Sequence, residues 1–226
     1  MIQCVLFDID DTLLNHQQGH LYAMDWLESF LASHDYASGN DEFERFHQFY
    51  DEMNQRLWSQ FEGGGLSVES LLSQRFQHVF DWFGVRRTHR DEIESTFICK
   101  YAQSCVPTGP WLNILKYFRQ RGIILGVCSN GAERVQRLKL EASQLASYFD
   151  YFFFGFCAPQ CKPHESFYQH VKRELDVAFE DILMVGDSLE NDVLPCQKLG
   201  IKVHHFSKRA DFSKSIASLM EIVDAG

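Results

Sequence analysis

The amino-acid sequence predicts an α/β protein, a Rossmann-like parallel sheet with helices on both faces and an all-helical block inserted after its first strand. Three observations lead there. Short runs at 2–7, 123–128, 151–156, 181–186 and 201–206 are almost continuously apolar and rich in β-branched and aromatic residues, as strands covered on both faces should be. Helical patterns alternate with the later runs, and that rhythm implies parallel strands joined by crossovers. Between residues 16 and 105 the strand-like runs vanish, and apolar residues recur at helical spacing.

Each element has a local reason. A helix over 110–121 is predicted from Gly109-Pro110 ahead of it and Gly122 behind it. Helices over 132–146, 164–175 and 190–199 follow in the same rhythm, with Pro163 opening the second and Gly200 ending the last. In the inserted block, Phe43, Phe46, Tyr50, Met53, Leu57 and Phe61 mark one amphipathic face, and Val68 to Phe83 mark another. Asn40, Ser67 and Thr88 stand where N-caps belong, and the glycines of Glu62-Gly63-Gly64-Gly65-Leu66 separate two of the helices. The expected division is a core of 1–15 and 106–226 around a helical domain of 16–105.

Composition narrows the function classes. Hydrophobic residues make up 45% of the chain, 20 of them phenylalanine, so a packed core is expected. A formal charge of −10 leaves no broad basic face for a nucleic-acid polymer. A small anionic ligand stays possible, because one metal ion and one lysine can dominate a local field. The seven cysteines include no CxxC pair, which argues against a zinc site or a disulfide framework; Cys4 and Cys128 read as reduced, buried thiols. The amino-terminal residues lack the basic region of a secretory signal, and the longest apolar run, 151–156, is too short to span a bilayer. A cytoplasmic monomer or homodimer is expected, with no membrane partner.

The residues that carry chemistry sit at strand ends. The first run ends in Asp8-Ile9-Asp10-Asp11-Thr12, the second in Ser129-Asn130-Gly131, and the fourth in Gly186-Asp187-Ser188 with Asp192 five residues on; Lys162 follows the third after a loop. In an open parallel sheet the ligand crevice lies at the carboxyl ends of the strands, so these groups converge. Alone, each has an ordinary reading: an acidic strand end, a turn, a solvated lysine, a helix cap. Together they form a set. Asp8 and Asp187, with a main-chain oxygen, offer the hard ligands Mg²⁺ prefers. One carboxylate can attack phosphorus, and a second, two residues on, can donate and then take a proton. Ser129 and Lys162 can hold phosphoryl oxygens as charge shifts. Asp11 is assigned no role, since alternation turns its side chain from the face of Asp8.

The four motifs "DIDDT", "SNG", "KP" and "GDSLEND", in that order, resemble the haloacid dehalogenase superfamily of phosphohydrolases, over residues 2 to about 206. The resemblance implies a Mg²⁺-dependent phosphatase acting on a small phosphorylated metabolite through an aspartyl-phosphate, with a helical cap where the insert lies. It implies Asp8 as nucleophile, Asp10 as acid/base and Lys162 as phosphate clamp. Thr12, Ser129 and Asn130 would bind phosphate or substrate, and Asp8, Asp10, Asp187 and Asp192 would form the metal site. Asp10 separates this pattern from that of the dehalogenases, which lack the second aspartate. A phosphomutase shares the first step, and a non-catalytic relative would show a broken set; here the set is complete.

Substrate choice falls to the insert. Residues 56–85 resemble the cap segment of the bacterial pyrimidine 5'-nucleotidases in the Leu57-Trp58 pair, an aromatic three residues on, glycine at the break, and Arg75-Phe76 ahead of an aromatic-rich stretch. Trp58, next to the apolar stripe, could stack on a base or simply pack the insert, whereas Phe61 lies on the stripe with Leu57 and is expected to pack. The loop before Lys162, "GFCAPQC", departs from the acidic, glycine-containing turn of relatives. FMN, sugar phosphates such as acylneuraminate 9-phosphate, and phosphoglycolate stay open as substrates.

Overall fold

A computed structural model describes residues 1–37, 39–157, 159–207 and 212–225. Five strands, β1 (Cys4–Phe7), β2 (Ile124–Ser129), β3 (Tyr151–Phe154), β4 (Ile182–Gly186) and β5 (Lys202–His205), form one sheet in the order β3-β2-β1-β4-β5. Every pairing is parallel, and β1 lies between β2 and β4 with Phe7 level with Val127 on one side and Val185 on the other. The strand order reverses at β1, and a switch of that kind opens a crevice beyond the carboxyl ends.

Alternation along the strands feeds two cores. Val5, Phe7, Val127 and Val185 face α5 (Trp111–Gln120), α6 (Glu133–Ala142) and α9 (Phe212–Ala225). Cys4, Leu6, Cys128 and Met184 face α7 (Glu165–Leu175) and α8 (Leu194–Lys198). Both sides of the sheet are therefore buried, which is why the strands read as unbroken apolar runs. All seven cysteines are free thiols, and five of them are buried.

The inserted block is α1 (His16–Ser33), α2 (Asn40–Glu62), α3 (Val68–Trp82) and α4 (Arg87–Ser104). Leu27, Leu31, Phe46, Leu57, Phe61, Leu71, Phe76 and Ile93 join one apolar cluster that also reaches Ala132, Val135 and Cys161 beside the sheet. Ser67 caps α3 as predicted, its hydroxyl accepting from Ser70 N at 3.2 Å. Asn15 caps α1 in the same way, accepting from Gln18 N at 3.0 Å. Among the described residues no helix is long and apolar enough to cross a membrane.

Several boundaries differ from the sequence expectation. Asn40 is the first helical residue of α2, with Gly39 ahead of it, and α4 starts at Arg87, which places Thr88 inside its first turn. Pro163 lies in the loop before His164, the cap of α7. Gly155 and Phe156 leave the sheet, and Phe156 is 53% exposed. The expected helix over 190–199 is a π-helical turn, Leu189–Val193, running into the short α8. The helix α9, unassigned from sequence, docks through Leu219 and Val223, and its Phe212 lies edge-on to Trp111 at 5.3 Å.

Trp111 joins these parts. It is fully buried, touches Phe7, Phe206 and Phe212, and donates from Nε1 to Thr108 Oγ1 at 2.8 Å. Trp111→Ala should cost about 3–5 kcal/mol, read as a lowered midpoint in urea unfolding.

A second prediction concerns pH. His20 stacks on Tyr50 at 5.5 Å and meets Phe97 edge-on; burial, aided by the charges of His16, Arg75 and His47, pushes its pKa down to about 4. The unfolded chain takes this proton near pH 6.5, while the folded chain takes it only near 4. The contribution is therefore intact above 6.5 and lost as pH falls towards 4, with the unfolded state binding about one more proton across that window. His20→Phe should remove this share of the slope, seen as a flatter dependence of the urea midpoint on pH.

Candidate active site

β1 extends its ladder one residue past its end, because Asp8 N donates to Val185 O at 2.9 Å. This holds the Asp8 carboxylate at the mouth of the crevice. Asp8 Oδ1 accepts from Lys162 Nζ at 2.7 Å, and the same ammonium donates to Asp192 Oδ1 at 2.6 Å. Asp192 is fully buried in the π-helical turn, where its Oδ2 accepts from Ser188 N at 3.1 Å. Gly186 makes this possible: a Cβ there would stand 2.4 Å from Asp192 Cγ. Lys162 is set from behind by Asn130, whose amide donates to Lys162 O at 2.7 Å and accepts from Lys162 N at 2.9 Å. The Asn130 side chain, expected among the substrate binders, is thus engaged with the main chain of Lys162.

Asp10 has a different set of partners. Its Oδ1 accepts from Lys139 Nζ at 2.6 Å and its Oδ2 from Gln136 Nε2 at 2.7 Å. Gln136 Nε2 also reaches Ser129 Oγ at 2.7 Å, which accepts in turn from Gly131 N. Lys139 is 1% exposed and donates to Tyr101 Oη at 2.8 Å; that hydroxyl also contacts His16 Nδ1. Asp11 has φ +65°, and its carboxylate accepts from His16 N at 3.0 Å, so it shapes the turn into α1. Gln136, Lys139, Tyr101 and His16 were not singled out from the sequence. One signal was available: Gln136 and Lys139 lie three residues apart on the helix that follows Ser129, hence on one face of it.

The electrostatics follow from burial. Desolvation pushes the Asp8 carboxyl well above the ordinary carboxylate range, against the pull of Lys162. Burial and the neighbouring Asp192 raise Asp187 to about 6. Asp10 goes the other way: burial opposes its charge, but Lys139, His16 and Gln136 hold it below its ordinary value. One oxygen of each of Asp8, Asp187 and Asp192 lies within 4.8 Å of the others. These three with Asp10 present four carboxylates to two ammonium groups, which leaves two negative charges over. Hard oxygen donors and an excess of two charges fit a divalent cation such as Mg²⁺. The Asp10 side chain, expected among the metal ligands, lies outside this cluster and is held by Lys139 and Gln136 instead.

A cavity of about 450 Å³ lies between the strand ends and the helical block. Asp8, Asp10, Ser129, Lys162 and Asp187 line its floor, and Tyr50, Asn54, Trp58 and Arg75 line the wall opposite. Thr12 is fully buried and its hydroxyl lies 3.4 Å from Asp187 Oδ1. Trp58 is half-buried on the cavity wall, while Phe61 is buried in the helical cluster and meets Trp58 edge-on at 5.4 Å. His205 contacts Asp187 O at 2.9 Å, and His204 is buried against Ser215 at 2.9 Å.

Comparison with known proteins agrees with this geometry. A family model of haloacid dehalogenase-like hydrolases matches residues 2–200. Among curated proteins, the pyrimidine 5'-nucleotidase PynA of Streptococcus pneumoniae is 25% identical, across 97% of this chain and 93% of that protein. The pyrimidine 5'-nucleotidase YjjG of Escherichia coli is 24% identical, across 84% of this chain and 79% of its own length. A solved structure of the putative HAD-hydrolase YfnB of Bacillus subtilis, bound to magnesium, superposes with a TM-score of 0.74 at 21% identity, covering 99% of both chains. With the match running from the first strand to the turn before the last, the chain belongs to the haloacid dehalogenase-like hydrolases.

Proposed function

We propose that the protein is a Mg²⁺-dependent phosphatase that hydrolyses a small phosphate monoester through an aspartyl-phosphate, with a pyrimidine nucleoside 5'-monophosphate as the preferred substrate. One observation carries the chemistry. Two carboxylates two residues apart face the same cavity with opposite environments: Asp8 in the acidic cluster with Lys162, Asp10 between Lys139 and Gln136. Nucleophilic attack and acid/base work need two carboxylates in different environments. Burial by itself raises the proton affinity of Asp8, and a divalent cation at the acidic cluster would hold it ionised.

Asp8, through the oxygen not bonded to Lys162, attacks phosphorus, and the ester bond to the leaving oxygen breaks. In the free site Lys139 and Gln136 keep Asp10 ionised; an arriving phosphate dianion raises its proton affinity, so that it takes up a proton from solvent water and passes it to the leaving oxygen. Asp10 then takes a proton from water, whose oxygen attacks phosphorus and returns Asp8 to a carboxylate. Lys162, Ser129 and the amides beside it hold the phosphoryl oxygens, with Thr12 beside Asp187. Asp8, Asp187 and Asp192, with a main-chain oxygen, would hold Mg²⁺, which would supply charge neutralisation on a phosphoryl oxygen and make the crowded carboxylates tolerable.

The same reading takes 16–105 as a cap over a core of 1–15 and 106–226. The nucleotide preference is supported by the two nucleotidase relatives and by Trp58, a flat ring on the cavity wall opposite the carboxylates. The decisive measurement is phosphate release with Mg²⁺ from UMP, dUMP, TMP, AMP, GMP, FMN, sugar phosphates and p-nitrophenyl phosphate. Higher kcat/KM for the pyrimidine monophosphates is expected, and EDTA should abolish turnover. A flat profile would remove the nucleotide preference; no release from any compound would remove the phosphatase reading. Asp8→Asn should lower kcat by at least about 10³-fold with an unchanged far-UV circular dichroism spectrum.

Lys139 supplies a further prediction. Lys139→Met leaves Asp10 with the Gln136 amide alone. The kcat should fall by about 10²-fold, with KM changing far less, because Asp10 loses the charge that places it and sets its proton affinity. Unchanged kcat in a folded Lys139→Met variant would detach Lys139 from the chemistry.

A further inference from the structure

The wall opposite the carboxylates contains polar atoms that the chemistry at the sheet leaves unused. Tyr50, Asn54, Trp58 and Glu62 are spaced four residues apart on α2 and all line the cavity, so they form one row along the helix. Arg75 lies on the facing helix α3, with its guanidinium against the Tyr50 hydroxyl and near the His16 and His20 rings. Asn54 is one turn along from Tyr50 on α2, and it lines the same cavity as Arg75.

Two atoms there stand out. Asn54 Oδ1 and Arg75 Nε are shut off from solvent, and neither has a hydrogen-bond partner among the described residues. No carboxylate lies within 4 Å of the Arg75 guanidinium among those residues either. A buried acceptor and a buried cationic donor without partners are both costly, and two such atoms on residues lining one cavity point to a ligand that satisfies them.

We propose that Asn54 and Arg75 form the recognition edge of the leaving-group subsite. Arg75 Nε–H donates to a ring carbonyl, and Asn54 Oδ1 accepts from an N–H beside that carbonyl. Trp58, the next member of the row, lies against the ring face. The ligand class is a planar heterocycle that presents a carbonyl next to an N–H, as an oxo-pyrimidine does. The proposal rests on the phosphatase reading for the position of the phosphate, at the carboxylate floor, and adds which residues read the other end. Arg75 sits with Tyr50 and the histidines, whereas Lys162 and Lys139 face the carboxylates; this favours the leaving group over the phosphate as its target.

The test separates the two readings. The Asp8→Asn protein, with Mg²⁺, is titrated calorimetrically with UMP and with ribose 5-phosphate, which lacks the ring. UMP should bind at least about tenfold tighter. On the same background Arg75→Met and the near-isosteric Asn54→Leu should each cut UMP affinity by about tenfold, leaving ribose 5-phosphate within about threefold. Equal affinity for the two ligands in the Asp8→Asn parent overturns the subsite, without dependence on how any further variant folds. Parallel weakening of both ligands in a folded Arg75→Met protein overturns the assignment of Arg75 to the ring. The phosphatase reading is judged separately, by wild-type hydrolysis of p-nitrophenyl phosphate with Mg²⁺.

Discussion

Two buried ammonium groups, on Lys162 and Lys139, are the constraint that the rest of the site depends on. The sheet brings Asp8, Asp10, Asp187 and Asp192 to one end of β1 and β4, where desolvation and mutual repulsion would drive them to protonate or apart. Lys162 ties Asp8 to Asp192, and Lys139 ties down Asp10. Each lysine arrives from a different element, one from the loop after β3 and the other from α6, so the ion pairs also pin those elements to the sheet. Removing one partner of such a pair leaves an uncompensated buried charge, worth about 3–5 kcal/mol. The same chemistry explains the local backbone: Asn130 clamps Lys162, Gly186 makes room for Asp192, and the π-helical turn carries that carboxylate inward.

The helical block solves a different problem with the same residues that hold it together. On α2, Leu57 and Phe61 belong to a row that packs the helices, and both are buried. The neighbouring row of Tyr50, Asn54, Trp58 and Glu62 lines the cavity. One helix thus provides cohesion on one face and a polar and aromatic wall on the next, which lets the wall vary without disturbing the strand ends. The carboxylate floor is built by main-chain geometry of the sheet; the wall is built by side-chain choice on helices.

What was legible in the sequence follows from this difference. The strands announced themselves because both faces of the sheet are buried, and Asp8, Ser129, Lys162 and Asp187 could be placed because strand ends converge by topology alone. Lys139 and Gln136 were hidden for a physical reason: on an amphipathic helix a lysine or glutamine reads as solvated, and only the packing of α6 against the site makes them buried partners of Asp10. Asn130 was only partly legible for a related reason. Its turn chemistry was visible, but its grip on the Lys162 main chain spans 32 residues and depends on the loop after β3. The helix α9 was missed because its stripe is short, and its docking partners, Trp111 and Phe206, are remote in sequence. Asp11 was read as pointing away along an extended chain; at φ +65° the chain is not extended there, and its carboxylate serves the first turn of α1.

The contact between floor and wall closes the circle. His16 begins α1 and Tyr101 lies near the end of α4, so the two mark the places where the chain leaves and rejoins the sheet-bearing part. The Tyr101 hydroxyl bridges them, touching His16 and accepting from Lys139, the residue that holds Asp10. The insert is therefore not merely attached at two points beside the site. Its junction is hydrogen-bonded, through one fully buried lysine, to the Asp10 carboxylate, whose position is fixed as much by the inserted helices as by the strand that bears it.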